Sequence, residues 1–122
     1  MTGLSDVVTS DLVTETELEG ARLAVRFVGC VDGSTLEEVR VFLAAMHGAA
    51  RAASAVEVVM DLRTLEFISA SGLGVLASWL GDVKRTSSYA VRFLTDARLP
   101  SQRRSLEPLA QLDRSSVCVE AV

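Results

Sequence analysis

Residues 56–80 read VEVVMDLRTLEFISASGLGVLASWL, and this stretch decides the fold of the chain. It begins with a nearly continuous apolar run at 56–60, which is typical of a central strand covered on both faces. It continues as a helical pattern over about 71–85, in which apolar residues recur every three or four positions. The polar residues 69–72 lie between these two patterns and are predicted to lead into the N-terminus of the helix. Such a loop commonly exposes a working surface, so we expect the function of the chain there.

The rest of the chain alternates strand and helix patterns around this stretch. Further strands are predicted at 12–18, 22–28, 89–94 and 116–120. A first helix is predicted to follow Asp32 and Ser34, whose side-chain oxygens are candidate caps, and to end near Ala53. A last helix is predicted over 97–112, either continuous or broken near Pro108. The order of these elements predicts an α/β sandwich with a mixed β-sheet and helices packed mainly on one side.

Composition favours one globular domain and argues against several function classes. The 122 residues suit a single domain over 1–122, in which residues 1–10 are expected to form a loose N-terminal end or an extra edge strand. The formal net charge of −4 argues against a nucleic-acid partner. No segment has the length and apolarity needed for membrane insertion, and no secretion signal is recognisable. Cys30 and Cys118 are far apart, so we expect reduced thiols and a cytoplasmic protein.

The reactive side chains give little support for catalysis. His47 is the one histidine, lies within the first predicted helix and has no Ser or Cys partner suggested by the sequence. No His, Cys or carboxylate cluster has metal-ligand spacing. Gly72 and Gly74 begin a glycine fingerprint but lack its third glycine. We therefore expect no catalytic residue, no metal, no cofactor and no enzyme activity.

Asp61 is the strongest candidate for a reactive group. A carboxylate at the end of a central strand is where response-regulator receivers carry their phospho-acceptor. Receivers also need an acidic pair after the first strand and a late lysine, and no lysine follows Lys84 in this sequence. We therefore expect Asp61 to bond loop N–H groups, and a phosphotransfer or hydrolytic enzyme centred on Asp61 is the weakest of the hypotheses.

The segment around residues 69–72 resembles the signature of STAS domains, which include the bacterial anti-sigma factor antagonists. The resemblance rests on Asp61-Leu62 followed by LEFISASGLGVL at 65–76. The pattern in the family is Asp-Leu, an apolar pair, Asp-Ser-Ser-Gly or Asp-Thr-Ser-Gly, and then Leu-Gly-Val-Leu. Gly29-Cys30-Val31-Asp32 is similar to the Gly-x-Leu-Asp that precedes the first helix of the family. The order of strands and helices fits the STAS fold along the whole chain.

The resemblance implies a partner and a switch, and the sequence departs from the family at the switch. Antagonists of this type bind a kinase-fold anti-sigma factor, which phosphorylates a Ser or Thr two residues before the glycine. That position holds Ala70, which has no hydroxyl, and Ser69 replaces the preceding aspartate. The partner-binding loop is thus predicted to comprise Ser69, Ala70, Ser71 and Gly72. Either the chain binds without this switch, or Ser71 or Ser69 is phosphorylated instead; the alternative role of Ser71 is a helix cap.

A second function class stays open beside the antagonist. An apolar strip beside a core stripe can form an interface, and Val75 and Trp79 lie on such a strip, although both can equally be core residues. Together with Asp32 they are predicted interface residues. The chain is then a non-phosphorylated STAS subunit of a scaffold or of a membrane transport complex. Its partner is another STAS-scaffold protein, or a second copy in a homodimer.

Overall fold

The computed structural model describes residues 4–86 and 88–122, and in this part of the chain six strands and three helices form an α/β fold. The elements are β1 (Leu12–Glu19), β2 (Arg22–Val31), α1 (Leu36–Ala52), β3 (Glu57–Asp61), β4 (Leu65–Ile68), α2 (Ala70–Thr86), β5 (Ala90–Thr95), α3 (Pro100–Ala110) and β6 (Val117–Ala121). The predicted α/β sandwich with a mixed sheet is confirmed, because β1 pairs with β2 antiparallel and the other pairings are parallel.

The strand order is β1-β2-β3-β5-β6, which places β3 at the centre as predicted. Helices cover one face of the sheet, where the side chains of Val25, Met60 and Phe93 lie side by side in register and are fully buried. The opposite face carries ion pairs, such as that between Arg92 and Glu57 at 2.8 Å. The expectation that β3 is covered by other layers on both faces is therefore wrong, and only Val59 of its open face is buried.

Strand β4 was not predicted as a separate strand. Its four residues follow β3 after a short turn and pair with the last three residues of β2. β3 and β4 thus follow one another along β2, which extends the parallel pairing to the end of that strand. A bulge between Gly29 and Cys30 shifts the register. Gly29 adopts φ +118°, and a Cβ there would lie 2.1 Å from the carbonyl oxygen of Asp11, so this position requires glycine.

Three local expectations can be compared with the structure. Residues 4–9 fit the predicted extra edge better than a loose end. Val7 is buried and its N–H donates to Thr14 Oγ1 at 2.8 Å, and Val8 forms an antiparallel bridge with Val13 of β1. Residues 1–3 lie outside the described part. Helix α3 is continuous through Pro108, which is the first of the two predicted alternatives, although this proline has no N–H to donate to the preceding turn. Neither Asp32 nor Ser34 caps α1, because the N-cap position is Thr35 and its side chain makes no capping bond.

Candidate functional site

Residues 69–72 were predicted as a loop before the helix, but α2 begins at Ala70, so this loop is the cap and first turn of α2, held at the end of β4. The N–H of Ser69 donates to the carbonyl of Val31 at 2.8 Å, which extends the β2–β4 ladder by one bond. The hydroxyl of Ser69 accepts from the N–H of Gly72 at 3.0 Å, and this is the geometry of a helix N-cap. Ser69 is therefore the cap of α2, whereas the sequence had suggested Ser71 for that role.

Gly72 allows the start of α2 to lie directly on the sheet. A Cβ at this position would come 2.8 Å from Val31 Cγ1 and 2.9 Å from Ile68 Cγ1. Val31 is 2% exposed and β-branched, so it has little freedom to move aside. The glycine therefore fixes how close the loop sits to β2 and β4, which is a packing reason for its presence.

Ala70 and Ser71 form the exposed part of the loop. The hydroxyl of Ser71 makes no hydrogen bond to any described residue, and no acidic residue occurs in the first turn of α2. The first N–H groups of a helix carry a partial positive charge. The loop therefore presents small, neutral side chains around a helix N-terminus that no carboxylate of its own first turn compensates.

Asp32 lies beside this loop. Val31 pairs with Ile68, so Asp32 and Ser69 each follow a residue of the same strand pair. The Asp32 carboxylate accepts from the hydroxyl of Ser34 at 2.7 Å and from its N–H at 2.9 Å, and these bonds lower the pKa of Asp32. Asp32 is thus an ionised, oriented carboxylate at the edge of the predicted site.

Val75 and Trp79 have different positions although they share a helical strip. Val75 is half-buried in a groove of about 450 Å³ between α1 and α2, and Ser71 lines the same groove. Trp79 is 3% exposed, and its indole N–H donates to the Tyr89 hydroxyl at 3.1 Å. Trp79 is therefore a core residue, and the prediction that it forms an interface is not supported.

His47 belongs to a structural hydrogen-bond network. Its Nδ1 lies 2.7 Å from the Tyr89 hydroxyl, so His47, Tyr89 and Trp79 join α1, the residue before β5, and α2. Burial lowers the pKa of His47, with a smaller contribution from Arg51, and burial raises the pKa of Tyr89 to about 12. The network therefore gives His47 a structural role in joining these elements.

Asp61 is engaged by its neighbour Arg63. The guanidinium donates to both carboxylate oxygens, at 2.9 and 2.8 Å, and the N–H of Arg63 donates to Oδ1 at 3.1 Å. This hydrogen bonding lowers the pKa of Asp61. The expectation that Asp61 bonds loop N–H groups is confirmed, and a carboxylate held in this way is poorly placed to act as a phospho-acceptor.

Comparison with solved structures identifies the fold. A crystal structure of an anti-sigma factor antagonist from Mycobacterium paratuberculosis aligns with 92% of this chain and 87% of its own at TM-score 0.69 and 22% identity. The chain has the STAS fold of the anti-sigma factor antagonists. The antagonist SpoIIAA in its unphosphorylated form aligns over 89% of this chain and 88% of its own, at TM-score 0.57 and 12% identity. The Bacillus cell fate determinant SpoIIAA in its phosphorylated form aligns over 88% and 91%, at TM-score 0.60 and 14% identity.

The likeness to these antagonists is one of structure. No protein-family model matches the sequence, and no curated protein sequence matches it. The identities of 12–22% therefore establish the fold, and the roles of individual residues follow from their geometry in this chain.

Sequence reasoning missed two features of the STAS surface. Phe67 is 55% exposed on β4, two residues before the loop, and Leu99 is 48% exposed on the far side of a groove of about 310 Å³. Leu65, Phe67 and Ile68 form a short apolar group in the sequence, which does not show the alternation of a strand. The second feature is Ser34, which orients Asp32; the Asp-x-Ser spacing of an Asx turn was the available signal.

Residues 4–86 and 88–122 can be compared with what two other functions require. They hold no cluster of three or more His, Cys, Asp or Glu side chains that could bind a metal ion. None of the helices described is long and apolar enough to span a membrane. Cys30 is half-buried, Cys118 is exposed, and both are free.

Proposed function

We propose that the chain is a regulatory adaptor rather than an enzyme: an anti-sigma factor antagonist that binds a kinase-fold anti-sigma factor in the cytoplasm through residues 69–72. The observation that carries the proposal is the loop itself. It is a rigid, exposed helix N-terminus of small neutral residues, in a fold shared with known antagonists. Binding of the antagonist would release the sigma factor from its inhibitor.

The chemistry of the surface suits a close-packed protein interface. Ala70 and Ser71 are small enough for a partner backbone to approach, and the N–H groups at the start of α2 favour a partner carbonyl or carboxylate. Asp32 adds an ionised carboxylate beside them, which can pair with a basic side chain. Val75 extends the surface along the groove between α1 and α2.

Phosphorylation at the position used by the family has no acceptor in this chain, because Ala70 has no hydroxyl. Of the neighbouring hydroxyls, that of Ser71 is exposed and makes no hydrogen bond to a described residue, whereas that of Ser69 caps α2. If the switch is retained, Ser71 is therefore the better acceptor. A phosphate there would add nearly two negative charges to an interface that depends on close contact.

Calorimetry with candidate kinase-fold anti-sigma factors tests the proposal. The variant Ala70→Glu places a charged side chain in the centre of the loop, and we expect it to weaken binding at least ~10-fold by steric and desolvation costs. Gln111→Glu adds the same charge at the exposed end of α3 and should leave affinity unchanged. Failure of every candidate to bind, or equal affinity of Ala70→Glu and wild type, would refute the proposal.

The missing hydroxyl at Ala70 favours a second candidate as well, a constitutively unmodified STAS subunit of a scaffold or transport complex. The two candidates differ in their covalent state inside the cell. Intact-mass measurement and phosphosite mapping of chain isolated from its native source separate them. A phosphate on Ser71 or Ser69 supports the switched antagonist, and unmodified chain co-purifying with a larger assembly supports the scaffold subunit.

A further inference from the structure

An apolar groove of about 570 Å³ lies between α1 and the N-terminal segment 4–9. Its floor includes Phe42 and Val7, which are 3% and 8% exposed. Its walls include Val41 and Val8, which are 61% and 78% exposed although they face a common depression. Scattered single valines on a surface need no explanation, but aliphatic side chains gathered around one groove indicate an interaction surface.

The floor of this groove is held in place by hydrogen bonds and aromatic packing. The N–H of Val7 donates to Thr14 Oγ1 at 2.8 Å, and the N–H of Thr14 donates to the carbonyl of Val7 at 3.0 Å. Phe42 packs edge-on against Phe27 of β2, with ring centroids 6.1 Å apart. The groove therefore exists before any ligand binds, so little ordering free energy is lost on binding.

The shape of the groove suits a helix. Val41, Ala45 and Ala49 line it at intervals of four residues, so they follow one side of α1 over roughly 12 Å. The two alanines leave room for another backbone to come close. A segment of about two helical turns, carrying aliphatic side chains on one face, matches this length and profile.

The charge of the residues that line the groove distinguishes between a partner protein, a second copy of the chain and a lipid surface. Glu37 and Glu38 lie at one end, and none of the described residues that line the groove is basic. Glu37 accepts from Arg40, whereas Glu38 makes no ion pair with a described residue. A second copy of this groove would offer no cation to Glu38, and both copies carry a net charge of −4. An anionic lipid surface is repelled in the same way.

We propose that this groove binds an amphipathic helical segment of a partner protein, with aliphatic residues on one face and Lys or Arg at the end that meets Glu38. The site is separate from residues 69–72, because the groove beside α2 uses the other flank of α1, with Arg40 and Ala44. The chain would then hold two partners at once.

The proposal is tested on the full chain with a labelled helical peptide of about twelve residues. The peptide carries Leu at every fourth position, on one face, and Lys at the positions beside that face. We expect it to bind with a Kd of ~100 μM or tighter by fluorescence anisotropy. A peptide with the same Leu positions and Glu in place of Lys, and a shuffled Leu/Lys peptide, should bind at least tenfold more weakly. Amide chemical-shift changes should be concentrated at residues 4–9 and 37–49.

Variants of the chain locate the binding and separate it from simple charge attraction. Val41→Ser should weaken the Lys peptide at least fivefold, and Glu38→Lys should reverse the preference in favour of the Glu peptide. The matched control is Val56→Ser, because Val56 is 67% exposed and lies outside the groove. Absent binding, shifts centred elsewhere or indifference to Val41→Ser would overturn the proposal. So would a dimer in sedimentation that Val41→Ser dissociates, or binding to phosphatidylglycerol vesicles that Val41→Ser abolishes.

Discussion

Helices α1 and α2 have the same length of 17 residues and follow strand ends that are paired with each other, yet they begin in different ways. The first turn of α1 carries Glu37 and Glu38, which compensate the positive end of the helix. The first turn of α2 carries no acidic residue, and its cap is the neutral hydroxyl of Ser69. The partial positive charge at the N-terminus of α1 is therefore compensated by its own first turn, whereas that of α2 is not.

The strand-to-helix connections that lead into α1 and α2 also differ in their hydroxyl groups. Thr35 is 2% exposed and bonds inward, to the carbonyl of Cys30 and the N–H of Asp32. Ser71 is exposed and makes no such bond. The buried hydroxyl of Thr35 therefore stabilises the turn before α1, whereas the hydroxyl of Ser71 stays on the surface. If residues 69–72 bind a partner as we propose, this difference separates a structural turn from a docking loop at the same edge of the sheet.

The largest effect on the α2 connection is expected from Gly72→Ala. The added Cβ would come within 3 Å of both Val31 and Ile68, so we expect a loss of about 1–3 kcal/mol in the free energy of unfolding. Gly74→Ala is the matched control, because a Cβ there meets nothing within 4 Å and should stabilise the helix by about 0.5–1 kcal/mol. Urea denaturation measures both, and equal effects would contradict the packing role of Gly72.

At the α1 connection, Thr35→Val keeps the size of the side chain and removes its hydroxyl. The bonds to Cys30 and Asp32 are then lost in a buried position, and we expect a destabilisation of about 1–2 kcal/mol. Thr35→Ser retains the hydroxyl and should be affected less. If the two variants lose equal stability, the methyl group rather than the hydrogen bonds holds this turn.

A smaller effect is expected from Ser69→Ala, which removes the cap of α2. Loss of an N-cap costs about 1 kcal/mol, and thermal or urea unfolding can resolve it. Ser71→Ala should change stability by less than about 0.5 kcal/mol, since its hydroxyl makes no hydrogen bond to a described residue. The opposite ranking would restore Ser71 as the cap.

The smallest effect concerns the pH dependence contributed by Asp32. Its pKa is lowered in the folded chain, so its ionised form stabilises the fold above the ordinary pKa of about 3.9. That contribution is lost as pH falls through the lowered pKa. Between pH ~5 and ~3, wild type should therefore lose more stability than Asp32→Asn. Asp61 and Asp96 also have lowered pKa values and are common to both proteins, so only the difference between the two curves is diagnostic.

Sequence patterns predicted the fold better than the site. The helical stripe of α1 and the alternation of β2 reflect burial on one face, which periodicity records directly. Strand β4 was not predicted, because four residues are too few to show a period and its pairing with β2 is a long-range contact. The burial of Trp79 was not predicted for a related reason. A helical pattern cannot show that Tyr89, ten residues later, accepts the hydrogen bond of the Trp79 indole N–H.

The cap of α2 was assigned two residues late because Ser69 and Ser71 are chemically alike. Only the backbone geometry shows which of them precedes the first helical residue. The resemblance to the family predicted the fold, whereas the exposure of Phe67 depends on the direction in which the short strand β4 presents its side chains.

Strand β2 pairs first with β3 and then with β4, and it ends at the residue before Asp32. One strand therefore sets the positions of both helix connections, and neither can shift without the other. A partner that meets this edge would encounter a surface already in its bound shape. Association would then resemble rigid-body docking, with k_on near 10⁵–10⁷ M⁻¹s⁻¹ as a rough guide and little change in backbone order on binding.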